Sequence, residues 1–562
     1  MRACDRETRR VRHVSETTVY FHGTWIRPRM TDTRRTPDFL CGGGVTMAEQ
    51  QQRARPIFTA ELKREAVRAC AMLLLFSPGG CTGSRREDAS TGRTMVIAVG
   101  ADEASLALNR DRLGRYPLNA GLCEPLVRLT REFAVAPALA TRWEMREPNT
   151  VRFNLASGVT FSDGAHFDAR SVAFTLALST RARIDYTFLG DSSVRVVDDT
   201  TLDVRPARTN RRLVNQLVHP TYGILATGSD PARRPVCTGP FRLLDYTPHE
   251  HLTVVRNERY RGPRARVDTL VFRFIPDETT RALALRSHQV DLIIDVGGAS
   301  ARVLRTLPDL RVAAAPPGAV LMMYMNVNGT GPHAALRDSA LRRAVAMAID
   351  RRTLVERVLG ADGAAVVSTV NPPVVLGAHA ALVRGVPFDT VAAARRLGPR
   401  RRSLSLIFNP NSVDNPTVEF VQAQLFRVGI DVKVERLDAA AFESRLNSGD
   451  FDLDLEMPSQ NDANPAFLLA LRWYSKSGTR SAKFTHGSAG FDALVERALG
   501  ATTDDDARRA AAEAMHQLVD VEVGAIPLAG ISRVYAMRDR VQGFVPHPSR
   551  LNQDWSEVWL RR

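Results

Sequence analysis

A chain of 562 residues is too long for one hydrophobic core, so two or three domains are expected. Its hydrophobic content of 44% and charged content of 24% are ordinary for a globular protein. The net charge of +15 invites a nucleic-acid partner, but only Lys63, Lys433, Lys476 and Lys483 among the 76 basic residues are Lys, the rest being Arg scattered among Asp and Glu with no nucleic-acid module, so that partner is set aside.

The first sixty residues lack sustained periodicity and are rich in Arg, Thr and Gly. They read as a disordered leader, or as an upstream start with Met47 the true one. "ELKREAVRACAMLLLFSPGGCTGS" then places Lys63, Arg64 and Arg68 before an apolar run ending near Phe76, too short to span a bilayer. Small residues before Cys81 complete a pattern similar to a secretory lipoprotein signal, in which Cys81 carries lipid, although Pro78 stands where such signals carry Leu. The other reading is a buried helix end and a turn. Residues 1–81 are thus a leader and signal, and 82–92 a polar linker. With Cys4, Cys41 and Cys70 removed and Cys81 lipidated, Cys123 and Cys237 are left, an even number that can pair in an oxidising compartment.

"RTMVIAVG" is a first strand, and "AGLCEPLVRLT" mixes a helical apolar pattern with Pro125. In "VRFNLASGVTFSDGAHFDARSVAFTLALS", Val151, Phe153 and Leu155 alternate with polar residues as in a half-buried strand. Two turns follow around "VTF", and Asp168 offers a cap to a helix rich in apolar residues. "SSVRVVDDTTLDVRP" is a hairpin turning at Asp198-Asp199, and "FRLLDY" and "HLTVVRN" form another around Pro248. "VDTLVFRFIP" leads to a helix starting near Asp277 and then to "VDLIIDV".

After Ala313–Pro317 the character changes. "VLMMYMNVN" is a strong apolar strand, Asp338-Ser339 cap a helix with Leu341, Val345 and Ile349 on one face, and Asp350 starts a second that stops at Gly360. "LSLIFNP", helix 416–428, "IDVKVERL", helix 438–448 and "FDLDLEM" then alternate, which argues for a parallel or mixed sheet with crossover helices. A last helix, about 503–520, hands over to "AIPLAGISRVYAMRD", a strand that can rejoin the first domain. Two crossings between lobes make a hinge.

Taken together these segments resemble the bacterial extracellular solute-binding proteins of family 5, the peptide- and nickel-binding subunits of ABC importers. Gly158, Val159, Phe161, Asp163, Gly164, Ala169 and Val172 match that family's "GVxFxDGxxxxAxxV" signature. "TGPFRLLDY" with "VRNERYRG" resembles its Gly-Thr-Gly-Pro hairpin, with Cys237 standing in place of the first Gly. "FIPDETTRALALRSHQVDLI", "LRRAVAMAIDRRTLVERVLG" and "VQAQLFRVGIDVKVERLDAAAFESRLNSGDFDLDLEM" follow the family pattern in order.

The resemblance implies an α/β, two-lobed periplasmic-binding-protein-like clamp (type II, cluster C-like) of mixed sheets with flanking helices. Lobe I is expected at 93–315 plus 530–562, with a subdomain near 126–195, and lobe II at 316–529. It implies a peptide or peptide-like small solute, an ABC permease with its ATPase subunits as partners, and a monomer tethered outside the membrane by lipid, or periplasmic. A nickel-chelate binder and a sensor docking to a signalling receptor are the alternatives. No cofactor or resident metal is expected, and no GxSxG, HExxH or P-loop pattern supports an enzyme.

Peptide binders of this family carry an acidic loop after the "DLDLEM"-type strand. Here that loop is "SQNDANPAF", with Asn461 at the family's Asp position and Asp462 one residue later. Either side chain facing the cleft is one reading and an Asx-rich turn the other. Trp473 and Tyr474 either stack on ligand or pack the core. Tyr324, Asn326 and Asn328, at the C-terminal end of a strand, are candidates to face the cleft. His249 and His251 read as a solvated hairpin tip more than a metal trap, and His219 and Tyr222 stand without the Arg that nickel-chelate binders use.

Overall fold

The computed structural model describes residues 93–561, apart from 101–120, 147–148, 182–188, 191, 208–209 and 478–481. The leader, the signal and Cys81 lie outside the described residues. All described residues belong to the unit Arg85–Arg562.

The strongest apolar segment explains the layout. Every residue of the strand Ala319–Met325 is buried. Leu321, Met323 and Met325 face one core with Val345, Leu406 and Leu425. Val320, Met322 and Tyr324 face another with Trp473, Phe491 and Met515. A strand covered on both faces reads as a continuous hydrophobic run. It lies inside a six-stranded sheet ordered Ala364–Ala365, Ala525–Ile531, Ala319–Met325, Leu453–Glu456, Arg402–Phe408, Ile430–Arg436. The last three run parallel, joined by the helices Asn415–Arg427 and Ala439–Ser448, as their alternating patterns require.

A seven-stranded sheet forms the other lobe, in the order Leu310–Ala314, Val534–Arg538, Leu292–Ile294, Thr94–Val99, Thr269–Phe274, His251–Arg256, Phe241–Thr247. Beside it a four-stranded antiparallel sheet contains Ala140–Arg146, Thr150–Leu155, Thr201–Val204 and Val194–Asp198. The signature stretch builds its core: Phe153, Phe161, Phe167 and Val172 pack together. Asp168 Oδ1 caps the helix Ala169–Arg181 by accepting from Ser171 N at 2.9 Å. No catalytic group is needed for any of this.

The chain passes between the two large sheets twice, at 315–318 and at 532–533. The crossings run side by side, with Ala315 N donating to Arg533 O at 2.9 Å and Gly318 N to Ile531 O at 3.1 Å. Gly318 has no room for a side chain, since a Cβ there would fall 1.7 Å from Pro548 O. The tail therefore differs from one continuous strand: Ala525–Ile531 belongs to the six-stranded sheet and Val534–Arg538 to the seven-stranded one. Residues 121–130 also differ from the helical reading. Pro125 interrupts the pattern, and Val127–Leu129 pairs as a strand with Val135–Pro137. No helix among the described residues is long and apolar enough to cross a membrane.

Candidate functional site

The loop between the strand Leu453–Glu456 and the helix Phe467–Arg472 reaches across from the six-stranded lobe to the other. Ala463 N donates to Asn215 O at 2.9 Å, and Asn215 Nδ2 returns a bond to Ala463 O at 3.4 Å. Ala463 joins the core that holds Leu213, Val214 and Leu217. Two residues earlier, Asn461 Oδ1 accepts from Ser549 Oγ at 3.1 Å. Ser549 lies on the C-terminal segment, whose neighbours Phe544 and Trp555 pack against the seven-stranded sheet. One short loop thus touches two separate parts of the opposite lobe.

Asp462 turns the other way. Its carboxylate is buried, and Oδ1 accepts from Gln460 Nε2 at 2.8 Å and Asn464 N at 2.9 Å. Burial pushes the carboxyl up to about 8, against the lowering effect of both bonds. Asn464 Oδ1 in turn accepts from Ala466 N at 3.0 Å, and Asn371 Nδ2 donates to Pro465 O at 2.7 Å. This is the Asx-turn chemistry of the sequence, built into a buried knot. Asn461 alone of the two candidates keeps a partly exposed side chain.

The segment carrying Ser549 is itself fixed. His547 Nδ1 accepts from Ser549 N at 3.0 Å, and His547 N donates to Gln553 Oε1 at 3.0 Å. Burial holds the His547 ring down to about 4, so it stays neutral and keeps that acceptor.

The remaining candidates point elsewhere. Tyr324 and Trp473 are buried and stacked on each other, ring centroids 5.1 Å apart and 14° between planes. The Arg472 guanidinium lies 5.4 Å from the Tyr324 ring and donates to Glu456 Oε2 at 2.5 Å. Beside them burial, then the charge of Glu456, pushes the Asp454 carboxyl well up. Asn326 is fully buried and donates to Gly449 O and Phe451 O, while Asn328 Nδ2 donates to His486 O at 3.1 Å. Tyr324 thus packs inside the core, while Asn326 and Asn328 lie past the end of the strand, where their side chains tie down neighbouring turns and Asn328 stays partly exposed. Tyr474 is half-buried at the edge of its lobe, with its hydroxyl on Glu496 at 2.7 Å.

His251 pairs with Asp245 at 2.7 Å across the hairpin, and His249 sits in its turn with φ 65. His219 caps a short turn by accepting from Thr221 N. Among the described residues no group of three His, Cys, Asp or Glu side chains is placed to hold a metal. Two hollows, of about 630 and 570 Å³, flank the helix Asn415–Arg427, and neither is lined by a residue of the loop 460–465.

Sequence reasoning missed Asn215, Ser549 and Arg212. The first two touch the loop from distant points of the chain, and nothing local to "RRLVNQLVHP" or "PHPSRLN" marks them. Arg212 Nη1 donates to Asp504 Oδ1 and Nη2 to Ala501 O, each at 2.5 Å, adding a further tie between lobes.

Residues 134–480 match the family model of bacterial extracellular solute-binding proteins, family 5, middle region. The chain belongs to that family. It is 24% identical to heme-binding protein A of Haemophilus influenzae over 459 residues, 74% of this chain and 82% of that one. It is also 24% identical to the nickel-binding periplasmic protein of Escherichia coli over 460 residues, 75% and 86% of the two chains. The periplasmic binding protein DppA of Helicobacter pylori, solved with the peptide STSA, has the same fold, with a TM-score of 0.71 at 21% identity, covering 84% of this chain and 98% of that one. This family member is an extracytoplasmic solute-binding protein with the two-lobed clamp fold, and such proteins work with ABC permease subunits.

Proposed function

We propose that this binding protein takes up a peptide or peptide-like small solute between its lobes, against the loop 460–465, and presents it to an ABC permease. The observation that carries the reading is the loop's double engagement, Asn461 with Ser549 and Ala463 with Asn215. A solute wedged there meets both lobes at once, and a ligand that favours the closed state does so through contacts it lacks in the open one. The described relatives carry heme, nickel and peptide names, so cargo is a property of each cleft rather than of the fold.

The peptide reading is preferred to a nickel chelate because the loop meets the seam with amide and backbone groups, which suit a solute with amide groups of its own. Binding without turnover, a monomer, and a lipid anchor on Cys81 complete the proposal, the last from the sequence alone. Native mass spectrometry of the purified protein tests it. A peptide-like mass released on denaturation supports the reading, and a metal chelate or heme in its place overturns it.

A further inference from the structure

We propose that Asn461 presents its amide N–H2 group, not its carbonyl oxygen, to the bound solute, so that this position accepts a carbonyl or carboxylate and disfavours a free ammonium. The inference rests on the reading that the solute meets the loop 460–465.

The argument begins at Ser549. A serine hydroxyl has one proton to give and two lone pairs to receive. Leu551 N donates to Ser549 Oγ at 3.3 Å and Asn552 Nδ2 at 2.7 Å, which fills both lone pairs. The side chain is buried, so its proton must find a protein acceptor, and that acceptor is Asn461 Oδ1 at 3.1 Å. With Asn552 Nδ2 on Ser549, turning the Asn461 amide over would bring a third donor onto the same oxygen and leave the hydroxyl proton without a place. The carbonyl is therefore spent inside the protein. Asn461 Nδ2 makes no hydrogen bond among the described residues, and it belongs to a partly exposed side chain.

The surroundings carry the same sign. Asp462, the acid of the loop, is buried and faces Gln460 and Asn464, so it offers no outward carboxylate to a cation. Two guanidinium groups, Arg550 beside Ser549 and Arg533 at the second crossing, converge on one carboxylate, Asp295, at 3.8 and 2.8 Å. An ammonium placed against Asn461 meets N–H groups, whereas an acylated nitrogen or a carboxylate supplies the missing acceptor.

The test uses the full-length protein and a tripeptide library of which half the material is N-acetylated. The captured fraction is read by mass spectrometry for the native protein and for Asn461→Asp and Asn552→Asp. The first variant replaces the donor by a carboxylate. The second offers Ser549 only acceptors, which draws its proton away and lets Asn461 turn its carbonyl outward. The expected result is at least tenfold enrichment of acetylated over free-amine peptides by the native protein, reversed in Asn461→Asp and reduced or reversed in Asn552→Asp. Capture of free-amine peptides by the native protein, or one unchanged ratio in all three proteins, overturns the inference and leaves the peptide reading standing. Capture of no peptide by any of them overturns the peptide reading, and the inference falls with it.

Discussion

Arg212 is buried on one lobe, its side chain 5% exposed, yet both hydrogen bonds of its guanidinium end on the other, at Asp504 Oδ1 and Ala501 O. Asp504 is 61% exposed and starts the helix Asp504–His516, so the cost of ordering the pair falls mainly on the arginine. Charged hydrogen bonds of this kind are worth about 1.5–3 kcal/mol when buried, and exposure of one partner lowers that.

Arg212→Ala is therefore expected to shift the free protein toward the open clamp by roughly 1 kcal/mol, a several-fold change in population. Small-angle scattering without ligand checks it. The variant should show a larger radius of gyration than the native protein, and saturating ligand should bring the two together. Identical radii in the free state would remove Arg212 as a closing contact.

The buried Asp462 makes stability depend on pH. Its folded value, about 8, lies above the 3.8 of an unperturbed Asp, so the folded state holds a proton that the unfolded state releases between those limits. The stabilisation it gives is fully present below about pH 4 and is lost as pH rises to about 8. Asp462→Asn mimics the protonated acid, because one Oδ1 already serves both Gln460 and Asn464. Denaturant melts should show the variant gaining on the native protein by up to about 1.4 kcal/mol per pH unit across that window, then running parallel above it. A difference independent of pH would mean the carboxyl is ionised throughout.

The fold was legible because the signals were local. Asp277, Asp338, Asp414 and Asp438 each cap the helix that the apolar pattern starts there. The site was less so, because its contacts join residues 215, 461 and 549. Trp473 shows the ambiguity: a large aromatic ring suits ligand or core equally, and only the packing of Tyr324 against it decides. The sequence predicts a crossing near 523–532, and its exact place, at Ser532-Arg533, was hidden for a related reason. Both strands it separates are apolar, and only pairing in three dimensions assigns them to different sheets.

Trp473 accordingly belongs to stability. It is fully buried, and removing so large a side chain leaves a cavity that its neighbours fill only in part. Trp473→Ala should cost about 3–5 kcal/mol in denaturant unfolding, whereas Tyr474→Phe, which keeps the ring and removes the hydroxyl that meets Glu496, should cost less than about 1 kcal/mol. A Trp473→Ala protein that melts like the native one but loses ligand would return the ring to the cleft.

Cys123 and Cys237 are joined as a disulfide, with Cα atoms 4.8 Å apart and a sequence separation of 114. Both cysteines are buried in the core of the seven-stranded lobe, where Gly239 N donates to Leu122 O at 2.9 Å and Ser162 N to Cys237 O at 2.9 Å. The bond thus ties the start of the signature-bearing subdomain to the hairpin of the main sheet. Closing a loop of this length in the unfolded chain is worth about 4–5 kcal/mol in the chain-entropy model. Cys123→Ser with Cys237→Ser is therefore expected to lower unfolding free energy by roughly 2–5 kcal/mol, with the ligand preference of the loop 460–465 unchanged. Thiol labelling of the exported protein under denaturing conditions gives the direct check: neither cysteine should react before a reductant is added, and both should react after it. Two thiols reactive from the outset would show that the bond does not form, and the double variant would then melt close to the native protein.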